Sequence, residues 1–436
     1  MILATEKQII NLYPITRINH QKNAYKYLEF LNLKKMDINY NDISKKLNMN
    51  ASTVYKWFRG QSPIAIRGIE ELKSMGLLPL KISNNLAFEQ FMITLGFRYA
   101  DGCIYSQREK NSFTNYACFG QKIDALKFCE DIKKAWGLNL KPHLSGIYYV
   151  YLPASLARLM INVGSPYGNK NYQNFKLPKW IFDLNEKLKW KFIDGLFSGD
   201  GQSPRLKKSG NSVESLKLSL NAEESIAEQF CLGFMKDIKN LILEMGVEVT
   251  EPKIDWNHPL ISKEGNTTYS IIIRILTKKQ NMIKFLENVP YTYRQNSKRN
   301  EVLNALKYKN RIRELEDYLI NPQLEPPKIS VLLKNNLQKE LITKAAYKLS
   351  DDKWGKYKIL GHYLKLKCKS FNLINAESIF NVYIPKWKKN LKFIPIDCVV
   401  ELFKLNKIDL KYLQDKIEKL KLTKTHNKYA VPFEVN

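Results

Sequence analysis

Histidine is scarce in this chain and cysteine is unpaired. The five histidines among 436 residues form no HxxxH or HExxH set, and Cys103, Cys118, Cys129, Cys231, Cys368 and Cys398 contain no CxxC pair. Zinc-finger and zinc-hydrolase spacings are thereby excluded, and free thiols in a reducing compartment are the simplest account of the cysteines. Long apolar runs are missing too: no stretch approaches the roughly 18 residues of a membrane span. The first residues, MILATEKQIINLYP, place charges inside a short apolar run and lack the uninterrupted core of a secretory signal. A cytoplasmic chain without a membrane partner is therefore expected. Acidic residues are outnumbered, 42 Asp and Glu against 70 Lys and Arg, for a formal net charge of +28. Codon bias that enriches lysine would not by itself deplete carboxylates, so the excess points to a polyanion, nucleic acid first.

Two helix-sized segments end alike. Ile93–Gly102 reads ITLGFRYADG and Ile193–Gly201 reads IDGLFSGDG. Gly96 and Ala100 in the first, and Gly195 and Gly199 in the second, are four apart and share one helical face. That face lacks bulk, so two such helices are expected to pack with their backbones close. Asp101 and Asp200 then stand side by side at a shared C-terminal end, each followed by a glycine suited to a left-handed cap. Two carboxylates beside the negative ends of two helix dipoles make a place for divalent cations.

The segments Leu95–Gly102 and Gly195–Gly201 resemble the paired motif of the LAGLIDADG homing endonucleases in their double-motif, single-chain form. The likeness continues through Gly164-Ser-Pro-Tyr-Gly-Asn-Lys170 and Phe175-Lys-Leu-Pro-Lys-Trp-Ile181, then through Tyr269–Leu276, Asn281–Pro290 and Lys298-Arg299, so that it spans about Leu86 to Leu306. The resemblance implies an α+β fold of two pseudo-twofold-related halves, each presenting an antiparallel sheet to DNA. It also implies Mg²⁺ or another divalent cation held by Asp101 and Asp200, with a basic residue near each site, for which Lys170 and Lys298 occupy the matching places. The chain departs from the family pattern at Phe97, Arg98 and Tyr99 and at the acidic Asp194; Arg98 and Tyr99 can lie on the face away from the partner helix, where they need not disturb the packing. Phosphodiester hydrolysis through metals held by two acids needs no histidine base.

Upstream, Ile43, Leu47, Val54, Trp57 and Phe58 are spaced to form the small core of two helices joined at Met49-Asn50. This resembles a helix-turn-helix, in which Ser52, Thr53, Tyr55, Lys56 and Arg59 would project from the second helix toward phosphates or base edges. The expected domains are an all-α, helix-turn-helix-like DNA-binding segment at 1–80, the double-motif endonuclease at 86–306, a helix with a Pro-rich linker at 307–328, and a basic, mainly α segment at 329–436, a candidate second DNA-binding unit, with helices at Asp397–Leu405 and Leu410–Leu420. Strands are expected at Cys103–Gln107, Tyr116–Gly120, Tyr148–Leu152, Leu216–Leu220, Val247–Ile254 and Tyr269–Leu276, and helices at Asp124–Trp136, Ala154–Ile161, Ala222–Met245 and Lys278–Leu286. On the sheets, Tyr105, Gln107 and Arg108 in the first half and Lys207, Lys208 and Lys217 in the second are the DNA-facing candidates.

The sequence therefore points to a monomeric, site-specific double-strand DNA endonuclease of the homing type. The Met-Ile start and Glu-Val-Asn end carry no splice-junction residues, so a freestanding or intron-encoded enzyme is expected. A non-catalytic DNA-binding transcription regulator on the same scaffold, and an RNA maturase acting on intron RNA, are the alternatives. Retention of both Asp101 and Asp200 favours the nuclease.

Overall fold

The computed structural model describes residues 1–13, 19–107, 112–205, 213–261, 265–304 and 306–307, with two further strands at 393–395 and 430–432. Two compact units are distinguished. The first comprises Met1–Gln202, Leu216–Leu276 and Asn288–Asn296; the second comprises Ser203–Ser215, Thr277–Glu287 and Ser297–Asn436.

The first unit opens with β1 (Ile2–Ala4), where helix was expected, because Ala4 is fully buried when the strand pairs antiparallel with β2 (Leu80–Lys81). Between them lie α1 (Glu6–Asn11), α2 (His20–Lys34), α3 (Tyr40–Lys46), α4 (Ala51–Phe58) and α5 (Ile64–Ser74). Thr5 and Gln8 form a capping box on α1, while Asn39 and Asn50 accept backbone N–H groups at the starts of α3 and α4. The turn from α3 to α4 passes through Asn48 at φ +46, a conformation that asparagine tolerates. Ile43, Leu47, Val54 and Trp57 are buried there and Phe58 is half-buried.

Next come α6 (Leu86–Tyr99), β3 (Gly102–Gln107), β4 (Ser112–Phe119), α7 (Lys122–Trp136), β5 (His143–Ser145), β6 (Ile147–Leu152) and α8 (Ala154–Asn162). The four strands form one antiparallel sheet in the order β3-β4-β6-β5. Ile104, Ala117, Phe119, Val150 and Leu152 alternate onto its buried face. The amino-terminal helices belong to the same unit: α1 and α5 pack on α8, and Ser155 on α8 donates to the carboxylate of Glu71 on α5.

The second motif helix, α9 (Glu186–Gly199), leads to β7 (Lys217–Glu223), α10 (Glu224–Phe230), α11 (Lys236–Glu244), β8 (Lys253–Ile254), β9 (Leu260–Ile261) and β10 (Thr267–Arg274). Strand β10 pairs antiparallel with β7, β8 and β9. A single helix was expected over Ala222–Met245, but a π-helical turn at Cys231–Met235 separates α10 from α11. The strand expected over Val247–Ile254 is reduced to β8 and an isolated bridge from Val249 to Ile275, since Pro252 offers no N–H to a ladder. The described part of the chain is thus mixed helix and antiparallel sheet, an α+β protein.

In the second unit, α12 (Lys279–Asn288) buries Met282, Ile283, Phe285 and Leu286, and Arg299 Nε donates to the Leu286 carbonyl at 2.6 Å. Strands β11 (Phe393–Pro395) and β12 (Ala430–Pro432) pair antiparallel. The linker expected at 307–328 begins at the edge of the described residues, and the helices expected at Asp397–Leu405 and Leu410–Leu420 lie outside them.

Helices α6 and α9 pack along their length. The contact is backbone on backbone: a Cβ added to Gly96 would fall 2.9 Å from the Phe192 carbonyl carbon and 3.1 Å from Leu196 N, and one added to Gly195 would fall 2.8 Å from Phe97 N. At Gly199 the added carbon would strike the Cβ of Ala100. Backbone cannot swing aside as a flexible side chain does. Gly96→Ala or Gly195→Ala is therefore expected to cost about 1–3 kcal/mol, read as a melting temperature lower by about 3–10 °C. An unchanged melt for both would exclude this packing.

Candidate active site

The two motif helices end together, and each runs through its aspartate into a glycine. Neither Gly102 nor Gly201 adopts the expected left-handed cap: the positive-φ glycines lie elsewhere. Gly102 begins β3 and Gly201 bridges to Leu218, so each starts its sheet at once. Glycine suits these positions because the chain doubles back against its own helix. An added Cβ would lie 2.7 Å from the Arg98 Cα at Gly102, and 2.7 Å from the Phe197 Cα at Gly201.

Asp101 and Asp200 occupy this doubled helix end, Asp101 exposed and Asp200 half-buried. The Asp101 carboxylate reaches within 3.3 Å of where a Gly199 Cβ would stand. Although Asp101 keeps solvent access, the protein packed around the helix ends partly desolvates both carboxyls and raises them above the usual range. Repulsion from Asp101 adds to the effect on Asp200, which is pushed up to about 7, while Lys170 and Arg294 pull both down. Two oxygen donors at an open helix end fit a hard divalent cation that completes its shell with water and substrate phosphate. Among the described residues, no group of three or more His, Cys, Asp or Glu converges into a fuller cage.

Behind the acids stand two cations. Lys170 Nζ donates to the carbonyls of Arg98 at 3.2 Å, Tyr99 at 3.1 Å and Ala100, and so caps α6. Its ammonium is buried deeply enough to lower its pKa to about 8, an effect that Arg98 reinforces and Asp200 and Asp101 oppose. The corresponding group on α9 is Arg294, whose guanidinium donates to the carbonyls of Gly199 and Gly201. Cations at helix C-termini offset the negative end of the dipole. Sequence reading overlooked Arg294, although it lies four residues before Lys298. Lys298 itself lies in the second unit, 4.0 Å from the Glu301 carboxylate.

Asp194 explains how Arg294 is delivered. It sits buried in α9 and accepts from the backbone N of Thr292 at 3.2 Å and from the Thr292 hydroxyl. Ser198 Oγ accepts the Tyr293 N–H at 3.3 Å, and Gln90 on α6 donates to the Tyr293 hydroxyl at 2.7 Å. Tyr291 enters this segment at φ +58, a conformation that a bulky residue adopts only under constraint. The segment from Tyr291 to Arg294 thus runs across both motif helices. Burial raises the Asp194 pKa to about 6, against the opposing pull of its Thr292 hydrogen bonds.

The departures in α6 are also structural. Arg98 is buried and donates to the carbonyls of Gly102 at 2.6 Å and Pro166 at 2.8 Å. Tyr99 does not face away from the partner helix. Its ring meets Phe192 of α9 edge-on at 5.6 Å and stacks on Phe234 at 5.1 Å, while its hydroxyl donates to the Gly164 carbonyl.

On α4, Ser52, Tyr55, Lys56 and Arg59 are exposed and Thr53 is half-buried; Arg59 donates to the Tyr55 hydroxyl at 3.0 Å. Tyr105 and Lys217 stand on the outer faces of their sheets, and Gln107 closes β3. Arg108, Lys207 and Lys208 lie outside the described residues. Cys129 and Cys231 are buried free thiols, whereas Cys103 and Cys118 are half-buried. No described helix is long and apolar enough to cross a membrane.

No protein-family model matches the chain. It is 24% identical over 405 residues to a tRNA-splicing ligase RtcB of Methanocaldococcus jannaschii, spanning 81% of this chain and 40% of that protein. It is 27% identical over 150 residues to the replication factor C small subunit of the same organism, spanning 34% of this chain and 8% of that one. Less than half the length of either relative is therefore matched. Among solved structures, the meganuclease I-SmaMI bound to uncleavable DNA is similar over 58% of this chain and 97% of its own, at 14% identity and a TM-score of 0.28.

The raised Asp200 pKa has a consequence for stability. A carboxyl whose folded value exceeds its unfolded value of about 3.9 stabilises the fold below that lower value, and the contribution is lost as pH rises through about 7. Above pH 7, ionised Asp200 is a liability. Partial solvent access and the nearby cations keep the effect small, so Asp200→Asn in metal-free buffer is expected to melt about 2–4 °C higher at pH 8 and no higher at pH 4. An equal shift at both pH values would count against a strained carboxylate.

Proposed function

We propose that this chain is a double-strand DNA endonuclease of the homing type, built on two pseudo-twofold-related halves and working as a monomer with Mg²⁺ or another divalent cation. One observation carries the reading: two glycine-packed helices end side by side on aspartates near enough for the Asp101 charge to act on Asp200, with Lys170 and Arg294 capping the helices. In this reading Asp101 and Asp200 hold the metal, one carboxylate serving each strand. The bound cation supplies charge neutralisation at the phosphoryl group and activation of water. Lys170 and Arg294 offset part of the cost of ionising the two carboxyls and hold the helix ends rigid, so that little reorganisation is left for the reaction. Lys298 is a further phosphate-contact candidate. The exposed polar face of α4 would anchor the protein on flanking DNA as the second helix of a helix-turn-helix.

The ligase name of one relative is not carried over. The same chain matches a ligase and a replication factor, two proteins of different activity, over 40% and 8% of their lengths, so neither named activity need reside in the matched part. A transcription regulator on this scaffold would gain nothing from two mutually repelling acids aimed at phosphates. Incubation of the full chain and Mg²⁺ with a randomised duplex library, with sequencing of the resulting ends, is expected to return one recurrent site cut on both strands. Recovery of a bound but uncut consensus would favour the regulator, and cleavage of RNA alone would favour a maturase-like role.

A further inference from the structure

The outer faces of the two sheets are made of different chemistry. On the first sheet, register brings Tyr105, Tyr116, Tyr149 and Tyr151 to one face with His143 at its edge. The rings touch one another: Tyr116 lies 6.1 Å from Tyr105, 5.3 Å from Tyr149 and 6.0 Å from Tyr151. Tyr105 and Tyr151 remain 39% and 49% exposed, so the layer opens to solvent. Among the described strand residues of this face there is no lysine, arginine, aspartate or glutamate. On the second sheet, Lys217 and Arg274 lie opposite each other, Lys253 stands opposite Ile272 on the neighbouring strand, and Ser270 Oγ donates to Asn221 at 2.8 Å; Glu223 closes the far end.

The tyrosine face starts at the carboxylate. Cys118, two residues beyond Tyr116 on the same side of β4, donates its backbone N–H to the Asp101 carbonyl at 3.0 Å, and burial, followed by the Asp101 charge, raises the Cys118 thiol. Lys217 holds the equivalent place beyond Asp200, its carbonyl accepting the Gln202 N–H at 2.7 Å. Whatever duplex lies across the two acids must therefore rest on tyrosines on one side and on cations on the other.

Resting on the nuclease reading, we infer that the two half-sites are read by different means: the tyrosine face reads thymine methyl groups in the major groove of an A·T-rich half-site, and the Lys217–Arg274 face grips its half through phosphates and polar base edges. The thymine methyl is the apolar group that the major groove offers, and a tyrosine layer supplies an apolar surface to meet it. Cations instead add affinity that falls with salt.

The test uses the full chain and the duplex selected from the library, with binding measured in EDTA and thymine replaced by uracil in each half in turn. In one half, each uracil should weaken binding about fourfold, the value of one buried methyl. That loss should vanish in the Tyr105→Ala, Tyr151→Ala double variant, which should keep the wild-type salt slope. Lys217→Ala and Arg274→Ala should each reduce the salt slope by about 0.9 and leave the uracil effect intact. Uracil losses that persist in the tyrosine variant, with the duplex still cut by wild type, overturn this inference and leave the nuclease standing. Failure of wild type to bind any duplex overturns both.

Discussion

Asp101→Asn and Asp200→Asn are each expected to slow cleavage of the selected duplex on the order of 10³-fold while binding in EDTA stays within about twofold. An amide keeps the shape of the carboxylate and removes the charge that would hold a hard cation. The usual objection, that a dead variant is an unfolded one, is met in advance at Asp200. Its carboxyl is pushed up to about 7 by burial and by Asp101, so its amide variant should melt higher at pH 8 while cutting far less. Loss of activity joined to a gain in stability is what a strained functional acid produces, and a structural acid does not. Both amide variants cutting at the wild-type rate in Mg²⁺ would remove the two acids from the mechanism.

Lys170→Met should be costly in two ways. The ammonium donates to three consecutive carbonyls at the end of α6, and methionine leaves all three facing the negative end of the helix dipole without a donor. Hydrogen bonds to charged groups contribute about 1.5–3 kcal/mol, so a melting temperature lower by about 5–10 °C is expected. The same change withdraws a positive charge that favours ionised Asp101 and Asp200. Cleavage at pH 7, measured well below the melting range, should therefore fall more than at pH 8.5. Arg294→Met should behave alike through Gly199 and Gly201. An unaltered melt for both variants would mean that neither cation holds its helix.

Much of this arrangement was legible in the chain, for reasons that differ by residue. Glycine and alanine at four-residue spacing report a close helix pair because only backbone proximity makes the missing Cβ useful, and Gly96, Gly195 and Gly199 do face the opposite backbone or its Cβ. Alternation of apolar and polar residues located the longer strands β3, β4, β6, β7 and β10 to within a few positions, since the period of two is enforced by one buried face, and did not reveal the two- and three-residue strands. The first strand was missed because Ile2–Ala4 is too short to show a period and pairs with Leu80–Lys81, far away in sequence. The post-motif glycines were read as left-handed caps because Asp-Gly after a helix commonly is one; the need at Gly102 and Gly201 is close approach to the preceding turn. Arg294 was hidden because nothing in a sequence reports that Asp194, almost a hundred residues earlier, accepts from Thr292 and orients the segment that carries it.

A crystal of the full chain with its selected duplex, grown with Mn²⁺ and measured at the manganese absorption edge, tests the central claim most directly. Anomalous density within coordination distance of both the Asp101 and Asp200 carboxylates, adjoining a phosphate of each strand, is the expected result. A bound duplex whose phosphates lie away from the ends of α6 and α9, or a Mn²⁺ position that touches neither carboxylate, would contradict it.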